Sequence, residues 1–195
     1  MSAVALSTAL SLTLAGCGGG SSSPSSSPSG STGPDAAAPA GSTLVLGRVA
    51  GDLHQPNKRV FARHRKQVLD DVGKAVDSWV DGGFVAVSYP RSSFGSAFAA
   101  FTAPARKDAE HQRRLMTNWD LRKQIDGVHV VKRKVTVDVL APHGRPAGAT
   151  ARVSLVFTTT GDATKRVMVH GRLFLSPDDL GTWQIFGYDV AKGGQ

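Results

Sequence analysis

Apolar positions along the chain fall into three regimes. The first is an uncharged run, MSAVALSTALSLTLA, ending at Ala15. Its central apolar stretch of about 13 residues suits the h-region of a signal peptide and falls short of the roughly 20 that a transmembrane helix needs. From Gly18 to Ser42 the chain is Gly, Ser, Pro and Ala apart from Thr32 and Asp35, and it shows no periodicity that could pack. Beyond that the pattern is that of a folded domain.

Thr43-Leu44-Val45-Leu46 predicts a short strand or a docking segment, followed by a loop punctuated by Pro56. Phe61, Val68, Leu69, Val72, Ala75, Val76, Trp79 and Val80 then recur at helical spacing, and Gly82-Gly83 predicts the helix end. The charges on this helix run against its dipole. Lys58, Arg59, Arg63, Arg65 and Lys66 crowd its N-terminal half, and Asp77 and Asp81 its C-terminal end. Its packed stripe must therefore hold it. Phe94, Ala97, Phe98 and Phe101 sit at i, i+3, i+4, i+7 and predict a second helix. Thr102 is a candidate N-cap and Pro104 a first-turn residue of a third, which carries Ala109, Leu115 and Met116 and fades near Thr117-Asn118. Trp119 to Asp126 reads either as an extension of that helix or as an irregular link.

From Gly127 the period becomes two. One strand places Val131, Val135, Val137 and Val139 on a common face. After the turn His143-Gly144-Arg145-Pro146 come Ala151, Val153, Leu155 and Phe157. After Gly161-Asp162 come Val167, Val169 and Leu173, and after Pro177–Gly181 come Trp183 and Ile185. Strands joined by short turns form an antiparallel meander, and one apolar face per strand means that helices cover one side only. The fold class expected is α+β, with about three N-terminal helices on one face of a curved antiparallel sheet of about four long strands. The organisation expected is a leader at 1–16, a tether at 17–42 and a domain at 43–195.

Composition sharpens the first regime. The chain has one cysteine, Cys17, in the run Leu14-Ala15-Gly16-Cys17. That excludes an internal disulfide and any multi-cysteine metal site. The run closely resembles the bacterial lipobox, although no Lys or Arg precedes it. The resemblance implies that the Cys17 thiol carries a diacylglycerol and that cleavage leaves Cys17 as the N-terminus. A secretory leader cut elsewhere and a buried structural cysteine are the alternatives. An acylated tether of about 25 residues has a root-mean-square span of roughly 25–30 Å and reaches roughly 80–90 Å when stretched. The expected location is extracytoplasmic, attached to the cell membrane.

The order of elements, with the closing run Gly181-Thr182-Trp183-Gln184-Ile185-Phe186-Gly187-Tyr188-Asp189-Val190, resembles the NTF2-like superfamily of cone-shaped folds, including ketosteroid-isomerase-like and SnoaL-like domains. It is also similar to actinobacterial exported lipoproteins and Mce-associated proteins. The resemblance covers roughly residues 58–192 and rests on element order more than on any one motif. A cystatin-like sheet wrapping one helix is the nearest competitor.

Candidate chemistry is sparse. The six histidines, at 54, 64, 111, 129, 143 and 170, show no metal-ligand spacing, and the chain has no phosphate-binding loop or nucleophile elbow. No metal and no cofactor is expected. The superfamily resemblance implies that any catalytic acid or base stands inside the cone, where burial shifts its pKa. Strand parity nominates His129, Arg133 and Asp189 for that interior. The same residues would serve as an Arg133–Asp189 ion pair or as rim residues, and a bulge at Gly187 would turn Asp189 outward. Lys plus Arg number 23 against 15 acids, and Asp35 is the only charge before Arg48, so the positive charge belongs to the domain. Lys132, Lys134, Arg152, Arg166, His170 and Arg172 take the opposite parity and predict a positive outer sheet face, interrupted by Asp138. It reads as an ordinary solvated face or as a surface for lipid headgroups, a cell-wall polyanion or an acidic partner. Nucleic acid is not expected of an exported chain without basic–aromatic strand platforms.

Two functions follow. One is a membrane-anchored lipoprotein whose non-catalytic NTF2-like domain binds a small apolar ligand or docks on a partner. The other is an NTF2-like isomerase or hydratase, with Asp189 or His129 as base and Arg133 holding an anionic substrate. A hollow interior with converging polar groups would favour the enzyme or a ligand carrier. An interior filled by Trp79, Phe94, Phe98, Phe101 and Trp183 would favour the interaction module.

Overall fold

A computed structural model describes residues 41–52, 54–85 and 88–194. The leader, Cys17 and the tether as far as Ala40 lie outside the described residues. The chain forms strand β1 (Thr43–Ala50) and helix α1 (Asn57–Val80), which runs on into a π-helical turn at Asp81–Val85. A 3-10 turn at Gly95–Phe98 precedes α2 (Ala103–His111) and the short α3 (Arg113–Met116). Four long strands follow: β2 (Gly127–Leu140), β3 (Gly148–Thr160), β4 (Arg166–Pro177) and β5 (Trp183–Gly194).

The strands build one open sheet in the order β1-β2-β3-β4-β5. β2 to β5 pair antiparallel, as the alternation predicts. β1 adds a fifth strand, parallel to β2, with Leu44 opposite Val135 and Leu46 opposite Val137. The fold is therefore α+β with a mixed sheet rather than a purely antiparallel one. The helices also differ from expectation: one is long, and the rest are short. The phenylalanine segment stops after a single 3-10 turn because the backbone beyond it turns extended and joins the sheet. Thr102 N donates to Ile185 O (2.9 Å) and Ile185 N donates to Ala100 O (2.8 Å). Phe101 thereby bridges Ile185 on the edge of β5.

The α1 stripe is buried as its spacing demands, through Phe61, Val68, Val72, Ala75, Val76, Trp79 and Val80. Its N-terminus has no side-chain cap and no acid in the first turn, and its last turn has no base. Packing holds it, each buried large side chain contributing roughly 1.5–3 kcal/mol. Trp79 meets Phe84 edge-on at 5.4 Å between centroids and donates its indole N–H to Met116 O (3.0 Å). Gly82 lets the 3-10 turn press against the end of α1: a β-carbon there would stand 2.6 Å from Ala97 Cα. On the sheet side Val135, Val137, Val153, Leu155, Phe157, Val169, Leu173 and Ile185 complete the core. Among the described residues no helix is long and apolar enough to cross a membrane.

Candidate functional site

Arg133 points into the domain from the core face of β2, as its parity predicts, and its side chain is only 4% exposed. A guanidinium so placed needs carboxylates and further acceptors to offset its lost hydration. Helix α1 and the π-helical turn that continues it supply them. Arg133 Nη2 donates to Asp77 Oδ1 (2.6 Å) and Nη1 to Asp81 Oδ1 (2.5 Å). Nε donates to Ser42 Oγ (2.9 Å), which in turn donates to Asp77 Oδ1 (2.5 Å). Burial works against the charge, but the bonds and fields of Asp81 and Asp77 outweigh it and raise the Arg133 pKa above the ordinary guanidinium value. The acids that oppose the helix dipole thus have another task. They tie the end of α1, the centre of β2 and the start of β1 into one knot. Asp189 takes no part in it, so the expected Arg133–Asp189 pair is not formed.

His129 does not join Arg133. A β-bulge makes Val131 the extra residue, since Val130 pairs with Phe157 and Lys132 with Val156. The inserted residue reverses the parity upstream of it. Val128 and Val130 pack on the core, while His129 is exposed and Val131 is 50% exposed. The expectation that His129 and Val131 face the core is corrected by that one residue. Asp189 is turned outward by a second bulge. Phe174 pairs with Gly187 and Leu175 with Ile185, which leaves Phe186 unpaired. Asp189 then meets Arg172 across the outer face at 2.7 Å. The three candidates stand in three separate places and converge on no common point.

All six residues of the expected positive face are exposed: Lys132, Lys134, Arg152, Arg166, His170 and Arg172. Two are neutralised locally, Arg152 by Asp138 (3.1 Å) and Arg172 by Asp189. Arg152 and Arg172 stand directly opposite each other on β3 and β4, so the two acids also relieve a like-charge cross-strand pair. At one end the face becomes apolar. An open trough of about 570 Å³ is lined by Leu140, Gly148, Thr150, Phe174 and Phe186, with Arg48 at its margin.

The space beneath the sheet is filled. Trp79 is fully buried, and Phe94, Phe98, Phe101 and Trp183 are 5%, 2%, 2% and 7% exposed. Phe98 stacks edge-on against Phe101 at 5.5 Å, and Phe101 against Tyr188 at 6.2 Å. The clefts open at its margin, where Trp183 lines two of them. One, of about 750 Å³, runs between the N-terminal half of α1 and the turns at Arg145–Pro146 and Pro177–Gly181. Neither His129 nor Arg133 lines it.

Two basic arrangements escape the sequence pattern. Lys192, at the end of β5, lies on the core side with its side chain 16% exposed. It donates to the carbonyls of Arg114 and Thr117, the latter at 2.8 Å, and so caps the end of α3. Burial lowers its pKa, and Asp120 partly opposes that shift. The second is a set of arginines stacked on two aromatic rings, Phe94 before the 3-10 turn and Trp119 in the link before β2. Arg122 and Arg113 lie 3.9 and 4.2 Å from the centre of the Trp119 ring, and Arg91 lies 4.5 Å from that of Phe94. Their residues are far apart in sequence or sit in irregular structure, so no period announces them. No family model, curated protein or solved structure matches this chain.

Proposed function

We propose that the protein is an exported lipoprotein, anchored in the cell membrane through acylated Cys17, whose domain is a non-catalytic binding or accessory module of NTF2-like type. The observation that carries the non-catalytic part is the use of Arg133. The one buried cation of the candidate set is consumed in a structural knot with Asp77, Asp81 and Ser42. His129 and Asp189 face solvent, and aromatic side chains fill the interior that an enzyme of this type would keep open. A module of this kind works through its surface. The helices before a four-strand meander and the inward-facing Trp183 and Ile185 favour the NTF2-like assignment. The single long helix favours the cystatin-like arrangement as the second reading of the fold.

The anchoring rests on Leu14-Ala15-Gly16-Cys17 and the tether behind it. Two acyl chains hold a protein stably in a bilayer, whereas one is marginal. Intact-mass measurement of the membrane-extracted protein tests this directly. The expected mature chain begins at Cys17 and carries the mass of its acyl groups. A chain that keeps its leader, or begins elsewhere with a bare thiol, overturns the anchoring. Native mass spectrometry of the same preparation tests the module. The expected mass is that of the acylated chain alone, and a small molecule released from the domain on denaturation would restore the enzyme or carrier reading.

A further inference from the structure

Arg91, Arg113 and Arg122 form an unneutralised basic cluster. None has a carboxylate within 4 Å among the described residues, unlike Arg114, Arg133, Arg152 and Arg172. Arg113 and Arg122 stack on the same indole, so their charges stand within about 10 Å of each other, the screening length at 0.1 M salt. Such crowding without counter-charge is unfavourable unless an anion completes it. The side chains are also held in place. Arg122 Nη1 donates to Trp119 O (2.7 Å) and Arg91 Nη1 to Gly82 O (2.9 Å), and Phe94 and Trp119 meet edge-on at 6.1 Å. Stacked guanidiniums keep their edge N–H groups free for phosphate oxygens and lose little rotamer freedom on binding.

The position of the cluster identifies what it meets. Arg91 bonds Gly82, the neighbour of Asp81; Asp81 bonds Arg133; and Arg133 bonds Ser42, at the junction with the tether. The cluster is thus linked by three hydrogen bonds to the residue from which the chain leads back to Cys17. Trp119 is half-buried and amphipathic, a side chain suited to the headgroup layer. We propose that Arg91, Arg113, Arg122 and Trp119 form a docking surface for anionic phospholipid headgroups, which seats the domain on the membrane that anchors it. The proposal rests on the lipoprotein reading for the nearness of the bilayer, and it assigns the anionic surface to this cluster rather than to the outer face of the sheet.

The test reconstitutes the mature, membrane-extracted protein into phosphatidylcholine vesicles with or without phosphatidylglycerol, the phosphatidylcholine carrying brominated chains in both. Flotation with pure phosphatidylcholine vesicles reads the anchor alone, so failure there falls on the lipoprotein reading. Tryptophan quenching then reads docking. Trp79 and Trp183 are buried, so Trp119 supplies the response, and Trp119→Phe should remove it. Quenching is expected with phosphatidylglycerol only, and at about 1 M salt, where the screening length is about 3 Å, it should vanish. Arg113→Gln with Arg122→Gln should weaken the docking equilibrium about tenfold or more. Arg113→Gln alone, at an exposed residue, should weaken it several-fold and guards against misfolding of the pair. Lys132→Gln with Lys134→Gln and Arg166→Gln should leave it unchanged. Equal quenching in both lipids, indifference to the arginine variants, or loss in the sheet-face variant would overturn the proposal. Reversal of docking by millimolar glycerol phosphate would assign the cluster to a soluble phosphate instead. Flotation without any quenching would also overturn the proposal.

Discussion

Residue by residue, Arg133 carries the largest electrostatic stake in the domain. Its carboxylate partners are unequally placed, Asp77 with a side chain 26% exposed and Asp81 with one 46% exposed. Arg133→Ala leaves both without their cation and is expected to destabilise the domain by roughly 3–5 kcal/mol, measured by chemical denaturation. Asp77→Ala should cost more than Asp81→Ala, because Asp77 is the deeper of the two and also accepts from Ser42. The burial of Arg133 was legible from strand parity alone. Its partners were not, because Ser42 and Asp77 stand 91 and 56 residues away. The acids could be noticed only as charges on the wrong end of a helix. His129 was misread for a local reason: period-two counting assumes one residue per rung, and Val131 breaks that count. Gly187 did warn of the outward turn of Asp189, since glycine in a strand often marks a bulge.

Elements differ in how far their neighbours decide them. The α1 stripe and the four antiparallel strands were readable because each is long and carries its own period, interrupted only by the bulges in β2 and β5. The phenylalanine segment was not, because the i, i+3, i+4 pattern fits a single turn as well as a helix, and the edge of β5 claims the backbone from Ala100 onward. The parallel pairing of β1 likewise depends on the place that the helices leave beside β2. The bulge in β2 offers a test at this scale. Deleting Val131 restores one residue per rung and keeps Val128 and Val130 inward and His129 outward, because Val130 and Lys132 already pair with the consecutive residues Phe157 and Val156. The variant should fold with a denaturant midpoint near that of the parent, whereas inserting one residue between Val130 and Val131 should turn Val128 and Val130 outward and lower it. A deletion variant that fails to fold would mean that Val131 is not the extra residue.

For the molecule as a whole, alkaline pH is a probe of packing, because both tyrosines of the chain are perturbed in the same direction. Burial raises the Tyr89 pKa above its usual value near 10, against smaller opposing effects of Asn118 and Arg91. Burial, then Asp108, raises that of Tyr188. In the unfolded chain both ionise near 10, so above that pH the folded state holds more protons than the unfolded one. The tyrosine contribution to stability is therefore intact below pH 10 and is lost as pH climbs through the folded pKa values. Absorbance titration at phenolate wavelengths should show less ionisation at pH 10 in the folded protein than in the denatured chain. Independent, gradual ionisation of the two rings centred at 10 would contradict their burial.

The knot at Ser42 also determines how the domain carries load. On the anchoring proposed above, tension in the tether would enter the domain at Ser42, just before the first residue of β1, a strand that runs parallel to its neighbour. Its ladder bonds are then strained together in shear rather than opened one after another like a zip. The Ser42–Asp77–Arg133 contacts would share that tension between the long helix and β2.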